Sequence, residues 1–288
     1  MHLAGIIPIT GIEFDFNLDW HDCMMPIEKG YTAIERAVYE CAMAGCNTIW
    51  IVADNNMQPL IKNRVGEWIY DPVTYGRSYD RYPSESRKEI PIYYVAIHPK
   101  DRNRRDSLGW SVLYGAYTAY TVSYNLSTWA TPHKYYCTFP YGVYDPSVVR
   151  KHRAEISDPD KGVLITYEGK NIKDNMYLGF TFDGHDFKNC RNHVNKTTTK
   201  QFYPPEDGEL YPSKKLPIED RWSARYFDLA EVFKELSTKK SEIISLSWYH
   251  AIDSWDSYKR YLASDDKFVL PSEAFKKPRN RNKTNGEF

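Results

Sequence analysis

Four cations, Lys100, Arg102, Arg104 and Arg105, fall within six residues, and Ser107 and Gly109 follow directly. Ser107 is placed to cap a long helix whose first turn contains Gly109. Free backbone N–H groups and the positive end of a helix dipole make such a turn an anion site. The cations add charge-assisted hydrogen bonds of the kind that hold phosphate oxygens. The alternative is a solvated charged loop in which Asp101 and Asp106 neutralise two of the cations. Asp54 ends an apolar run, a frequent catalytic, metal or sugar-binding position, and could equally cap the helix that follows. His21 stands between Asp19 and Asp22, a grouping that could hold a metal but matches no standard ligand spacing. His98, which precedes Pro99, is read in the same way. Asp145 precedes Pro146, which suits the cap and first position of a helix. The remaining histidines show no convergent spacing with carboxylates or cysteines.

A second concentration lies between residues 70 and 82, where Tyr75, Tyr79 and Tyr82 interleave with Arg77 and Arg81. Such a loop could stack a base or a sugar, or serve as a protein contact patch. It belongs to an aromatic content of 15%, with 24 Tyr against 12 Phe. That excess places many rings at surfaces or in wet clefts, where the hydroxyl can be satisfied, and it excludes disorder. The 288 residues carry 38 cations and 38 anions, so net charge gives no support to a nucleic-acid partner. A mean hydropathy of −0.63 and the lack of a run of about 18 apolar residues exclude a membrane span. Five cysteines without CxxC spacing argue against a disulfide framework or a zinc ribbon. The first apolar run lacks the basic region and cleavage site of a signal peptide, so a reducing, cytoplasmic setting is expected.

The elements that must position these residues alternate along the first half of the chain. Residues 3–9, 48–53, 90–97 and 134–139 read as strands buried on both faces. Between them, residues 32–44 read as a helix with a Thr32–Glu35 capping box and a Gly45 stop. Further helices are expected over 59–65, 108–124 and 146–155. The rhythm predicts an α/β fold: a Rossmann-like, mostly parallel sheet flanked by helices. Segments 162–167 and 176–182 read as strands of an antiparallel addition, completing a core over residues 1–182. Residues 183–224 are polar and show no strong period. Helices are then expected near 226–236, 242–250 and 254–262, packed on the core, before a basic flexible tail at 271–288. In an open parallel sheet the ligand crevice lies at the carboxyl ends of the strands, which selects the loops carrying Thr10–Gly11, Asp54, Lys100–Ser107 and Tyr141–Asp145.

The order of motifs resembles the sugar-nucleotidyltransferase-like family, of glycosyltransferase-A type fold, over the first 155 residues or so. AGIIPITG matches its first strand, and CMMPIEKGYTAIERAVYECAMAGCNTIWIVAD its loop, "PI" turn, first helix, "AG" stop and second strand. SLGWSVLYGAYTAY is similar to its glycine-containing helix, and KYYCTFPYGVYDP to its fourth strand and metal loop. The resemblance implies an enzyme that joins a nucleoside triphosphate to a sugar 1-phosphate, or a related glycosyltransferase. It implies magnesium, with Asp145 as a shifted metal candidate. Thr10 and Gly11 would meet the nucleotide, and Ser107 and Gly109 the base or phosphates. Arg102, Arg105 and Lys100 would hold phosphate, with Asp54, Asp145 and Lys100 as the catalytic candidates. Tyr75, Arg77, Tyr79 and Arg81 would close over the substrate. The chain departs from the family in three places. The glycine-rich GxGTR-like loop is reduced to Thr10–Gly11, the lysine before the "PI" turn falls near Asp22, and the magnesium aspartate falls near Tyr141 or Gly142. These departures support an alternative, a catalytically degenerate binding or assembly protein whose Tyr/Arg-rich loops serve a macromolecular partner. A fainter resemblance, to proteins of marine tailed bacteriophages, implies a viral origin and the host cytoplasm. Either reading is compatible with an oligomer.

Overall fold

Residue 5 of the first strand faces one helix and residue 6 faces another, and this alternation builds the molecule. A Cβ on Gly5 would meet Cys41, whereas Ile6 meets Gly115. Successive residues of a strand point to opposite faces, so the two helices carrying those residues cover opposite sides of one sheet. The computed structural model describes residues 2–12, 14, 16–18, 20–75, 88–198, 202–217, 227–238 and 241–267.

The strands and helices run, in chain order, β1 (Leu3–Pro8), β2 (Pro26–Glu28), β3 (Tyr31–Thr32), α1 (Ala33–Ala44), β4 (Thr48–Val52), α2 (Gln58–Val65), β5 (Trp68–Tyr70), α3 (Pro72–Tyr75), β6 (Glu89–Val95), α4 (Pro99–Arg105) and α5 (Leu108–Leu126). They continue with β7 (Lys134–Cys137), β8 (Gly142–Val143), α6 (Ser147–Lys151), α7 (Arg153–Ser157), β9 (Gly162–Thr166), β10 (Phe180–Asp183), α8 (Gly184–Thr198), α9 (Leu229–Val232), β11 (Ser241–Ser245), β12 (His250–Ala251) and α10 (Trp255–Ala263). Eight strands form one sheet in the order β11-β9-β10-β7-β1-β4-β6-β5, in which only β10 and β5 oppose the rest. This is the expected mostly parallel α/β fold. Every residue of β1 and of β4 is buried, as a strand covered on both faces requires.

Local signals set the first crossover. Thr32 and Glu35 form the capping box of α1, and Gly45 ends it. The chain moves outward from β1 through β4 to β6, then returns over the opposite face by α5 to β7. A second, smaller core gathers Phe16, Met25, Ile27, Tyr31, Val143, Ile252, Tyr258 and Tyr261 beneath the loop that leaves β1. No helix among the described residues is long and apolar enough to cross a membrane.

Several elements differ from the sequence expectation. The charged segment after β6 is a helix, α4, and not a loop. Polar residues 184–198 form α8, anchored by buried Cys190 and Val194. The helix expected over 242–250 is strand: β11 pairs parallel with β9 across its whole length, and β12 pairs with β8. The helix expected near 226–236 is, among the described residues, the short α9. That expected over 146–155 breaks at His152 into α6 and α7. Residues 271–288 lie outside the described residues.

Candidate functional site at the carboxyl edge of the sheet

The loop after β4 leads to α2, which packs with α1, whereas the loop after β6 leads to α4 and α5 on the other face. Connections that part in this way open a crevice at the strand ends. Asp54 stands on the β4 side and Arg102 on the β6 side. The Arg102 guanidinium reaches the Asp54 carboxylate at 3.5 Å, with both side chains more than a third exposed. Arg102 also donates from Nε to the carbonyl of Ile97 at 3.4 Å, and the Asp54 carbonyl accepts from Met57 and Gln58 at the start of α2. His21 lies close enough to feel the Asp54 charge. Burial lowers its imidazole to about 4, against the upward pull of Asp54. Its Nδ1 accepts from Cys23 N at 3.2 Å, which fixes the ring. Exposed Trp20 precedes it.

Thr10, Gly11, Ser107 and Gly109 come together where β1 ends against the first turn of α5. The Thr10 and Ser111 hydroxyls lie 3.2 Å apart, and Ser111 Oγ donates to the Thr10 carbonyl at 2.7 Å. Ser107 caps α5 by accepting from Trp110 N at 3.2 Å. Gly11 adopts φ +91°, and a Cβ there would lie 2.3 Å from the Ser107 carbonyl carbon. Only glycine fits this left-handed, backbone-on-backbone contact. Gly109 faces Val232 of α9, 2.7 Å from where its Cβ would be. Thr10 and Ser107 are buried and spend these hydrogen bonds on the chain itself, so the cluster positions the crevice wall.

The basic residues of α4 divide between two places. Arg102 joins Asp54, whereas Arg105 pairs with Asp101 at 3.7 Å and lies 4.7 Å over the Trp110 ring. Arg105 there lines a separate cavity of about 70 Å³ with Trp110, Tyr117 and Arg191. The side chains of Lys100, Arg104 and Tyr75 lie outside the described residues, as do Arg77, Tyr79 and Arg81 entirely.

Asp145 accepts from Ser147 N at 2.9 Å and from Ser147 Oγ, a cap on α6. It belongs to no group of three or more ligating side chains among the described residues. Tyr141, which with Gly142 marks the strand end near which the resemblance places an aspartate, is buried and donates its hydroxyl to the Ile9 carbonyl at 3.1 Å. Phe14 and Tyr177 pack edge-on against it, at 4.9 and 5.8 Å between ring centroids. Magnesium takes oxygen ligands in near-octahedral array. The described residues around Asp145 and Tyr141 do not form such a set, and no chemical step is derived through the ion.

A buried network beneath this loop escaped the sequence reading. Arg36 donates to Glu40 at 2.5 Å and to the Phe139 carbonyl at 2.6 Å, while Tyr136 and Tyr144 donate to the other Glu40 oxygen at 2.5 and 2.6 Å. Arg36 and Glu40 are both fully buried. Burial by itself weakens the hold of the Arg36 guanidinium on its proton, but Glu40 and Tyr144 more than offset this, and the proton is held more firmly than usual. Burial, reinforced by Glu40, pushes both tyrosine hydroxyls well up. The network ties α1 to the segment after β7. Its one sequence signal was the i,i+4 spacing of Arg36 and Glu40 inside an apolar helix.

The fold is that of a class, the α/β architecture seen in solved sugar nucleotidyltransferases. The chain superposes on a putative glucose-1-phosphate thymidylyltransferase from Bacillus anthracis, solved in complex with a sucrose, with a TM-score of 0.55. The two are 12% identical over 93% of this chain and 98% of the other. It is also similar to a UDP-glucose pyrophosphorylase complexed with UDP-glucose, with a TM-score of 0.51, 13% identity, and 91% and 97% of the two chains covered. No protein-family model and no curated protein sequence matches the chain. The likeness therefore extends over nine-tenths of the chain and concerns the fold.

Proposed function

We propose that the chain binds a nucleotide or nucleotide sugar at the carboxyl edge of β1, β4 and β6. The observation that carries this reading is the Arg102–Asp54 pair across the crevice mouth. An ion pair this exposed contributes little to stability, so its guanidinium is available to a phosphate, with which it makes bidentate charge-assisted bonds. Asp54 is then free to accept from a ribose or sugar hydroxyl, and His21, neutral at pH 7, offers an uncharged polar partner. As a transferase, the chain would join a nucleoside triphosphate to a sugar 1-phosphate. A sugar phosphate oxygen attacks the α-phosphorus and pyrophosphate leaves. Arg102 would carry part of the negative charge on the phosphates, with Lys100 on the same helix as a second candidate.

One observation favours a second reading, binding without transfer: buried Tyr141 occupies the strand end and Asp145 is spent on Ser147. Thermal melting with each nucleoside triphosphate and nucleotide sugar, with magnesium or with EDTA, tests both. Ligand at 100 times Kd is expected to add about 2.7 kcal/mol, and Arg102→Ala is expected to abolish the gain. No stabilisation by any of these compounds would overturn the proposal. Stabilisation that survives EDTA, with no pyrophosphate released from nucleoside triphosphate and sugar 1-phosphate, selects the binding-only reading.

A further inference from the structure

At the amino end of the β9–β11 edge, away from the crevice, three side chains from separate elements converge. His152 occupies the joint between α6 and α7, Glu155 follows one helical turn later, and Glu242 is the second residue of β11. Their ligating atoms all lie within 4.8 Å of one another, the one such group of three or more among the described residues. The Oε2 oxygen of Glu155 is buried and has no hydrogen-bond partner. Glu242 shares a face of β11 with buried Ile244, whereas Ile243 between them is exposed to 64%. Two carboxylates and an imidazole are thus aimed at a common point, and no cationic side chain among the described residues is paired with either glutamate.

Such a convergence is costly by itself. A buried carboxylate oxygen without a donor and two like charges side by side both oppose folding. A single divalent cation relieves both, because ligand atoms this close can be drawn onto one ion with bonds of roughly 2.0–2.2 Å. The donor set narrows the choice of ion. Calcium and magnesium prefer all-oxygen shells, and soft monovalent copper prefers sulfur. One nitrogen with two carboxylate oxygens suits zinc and its divalent first-row neighbours. We propose that His152, Glu155 and Glu242 form a divalent transition-metal site, with zinc the best match. The ion would pin α7 to the outer strand of the sheet and keep at least one coordination position for water.

The test is calorimetric titration of the chelator-treated, full-length chain with zinc chloride, and separately with magnesium chloride. One zinc ion per chain is expected to bind, with a rise in melting temperature that EDTA reverses. His152→Ala, Glu155→Gln and Glu242→Gln should each weaken the site by more than the roughly 10–100-fold that even outer-shell changes produce. Melting temperatures in EDTA check that each variant folds, and Glu155→Gln, which removes an unpaired charge, should melt there no lower than the parent chain. Absence of saturable zinc binding, equal affinity for magnesium, or unchanged affinity in folded variants would each overturn the assignment.

Discussion

Burial lowers the His21 imidazole to about 4 from an ordinary 6.5, with the Asp54 charge pulling the other way. The sign of the consequence follows from proton counting. Between those two values the unfolded chain binds a proton at His21 and the folded chain does not. Stability is therefore full above about pH 6.5 and is lost as pH falls toward 4, by on the order of 3 kcal/mol from this group. His21→Asn keeps an oxygen to accept from Cys23 N but does not titrate. Urea denaturation at pH 7.5 and at pH 4.5 should show a smaller acid loss in the variant than in the parent chain, and equal losses would refute the assignment. The tyrosines divide at this scale. Tyr93, Tyr117, Tyr120, Tyr124, Tyr203 and Tyr211 are exposed, as the composition suggests. Tyr141, Tyr258 and Tyr261 instead find a partner for the hydroxyl inside, on the carbonyls of Ile9, Pro26 and Ile27. Composition counts hydroxyls but does not reveal which carbonyls a loop leaves free.

The contact between the end of β1 and the first turn of α5 decides the shape of the crevice wall. Gly11→Ala places a Cβ against the Ser107 backbone at a left-handed φ. It should cost more than about 1 kcal/mol in urea denaturation and should also weaken the nucleotide-dependent melting shift. Ser111→Ala, which removes the hydroxyl's bonds to Thr10 and to the Ser107 carbonyl, should cost about 1 kcal/mol. A Gly11→Ala chain as stable as its parent would show that the contact is not rigid. Elements were legible where burial on both faces left an apolar run, as in β1 and β4, so Asp54 and Thr10 were found at their strand ends. Legibility failed where pairing is non-local. β11 carries two isoleucines of which only Ile244 is buried, and only β9, some eighty residues earlier by sequence position, makes it a strand. α4 has no apolar stripe, so Arg102 and Arg105 were read as one cluster. The helix turns them to different places. His152 and Glu155 were one turn apart in plain view, but Glu242 reaches them only through the sheet.

The molecule holds together as two cores, and α10 serves the smaller one. Tyr258 and Tyr261 donate to the carbonyls of Pro26 and Ile27 at 2.6 and 2.9 Å, and Trp255 donates to the Phe16 carbonyl at 3.2 Å. Replacing both tyrosines with phenylalanine removes two hydrogen bonds at about 1 kcal/mol each. The loop that leaves β1 should loosen before the large sheet does. Limited proteolysis is expected to cut the double variant faster within residues 12–22, with no change in cleavage of α5. Equal cleavage of that loop in both chains would show that the second core does not depend on these bonds.

The Tyr261–Ile27 bond joins residues 234 positions apart, and this separation has a meaning in time. At synthesis rates of about 5–20 residues per second, roughly 10–50 s pass between the emergence of the β2–β3 hairpin and that of the helix that covers it. For that interval Phe16, Met25, Ile27 and Tyr31 lack the cover that Tyr258 and Tyr261 supply. The growing chain must keep this apolar ledge from other nascent chains while the β1–β4–β6 layer forms beside it. The β2–β3 hairpin is thus among the last features of the molecule to gain its full packing.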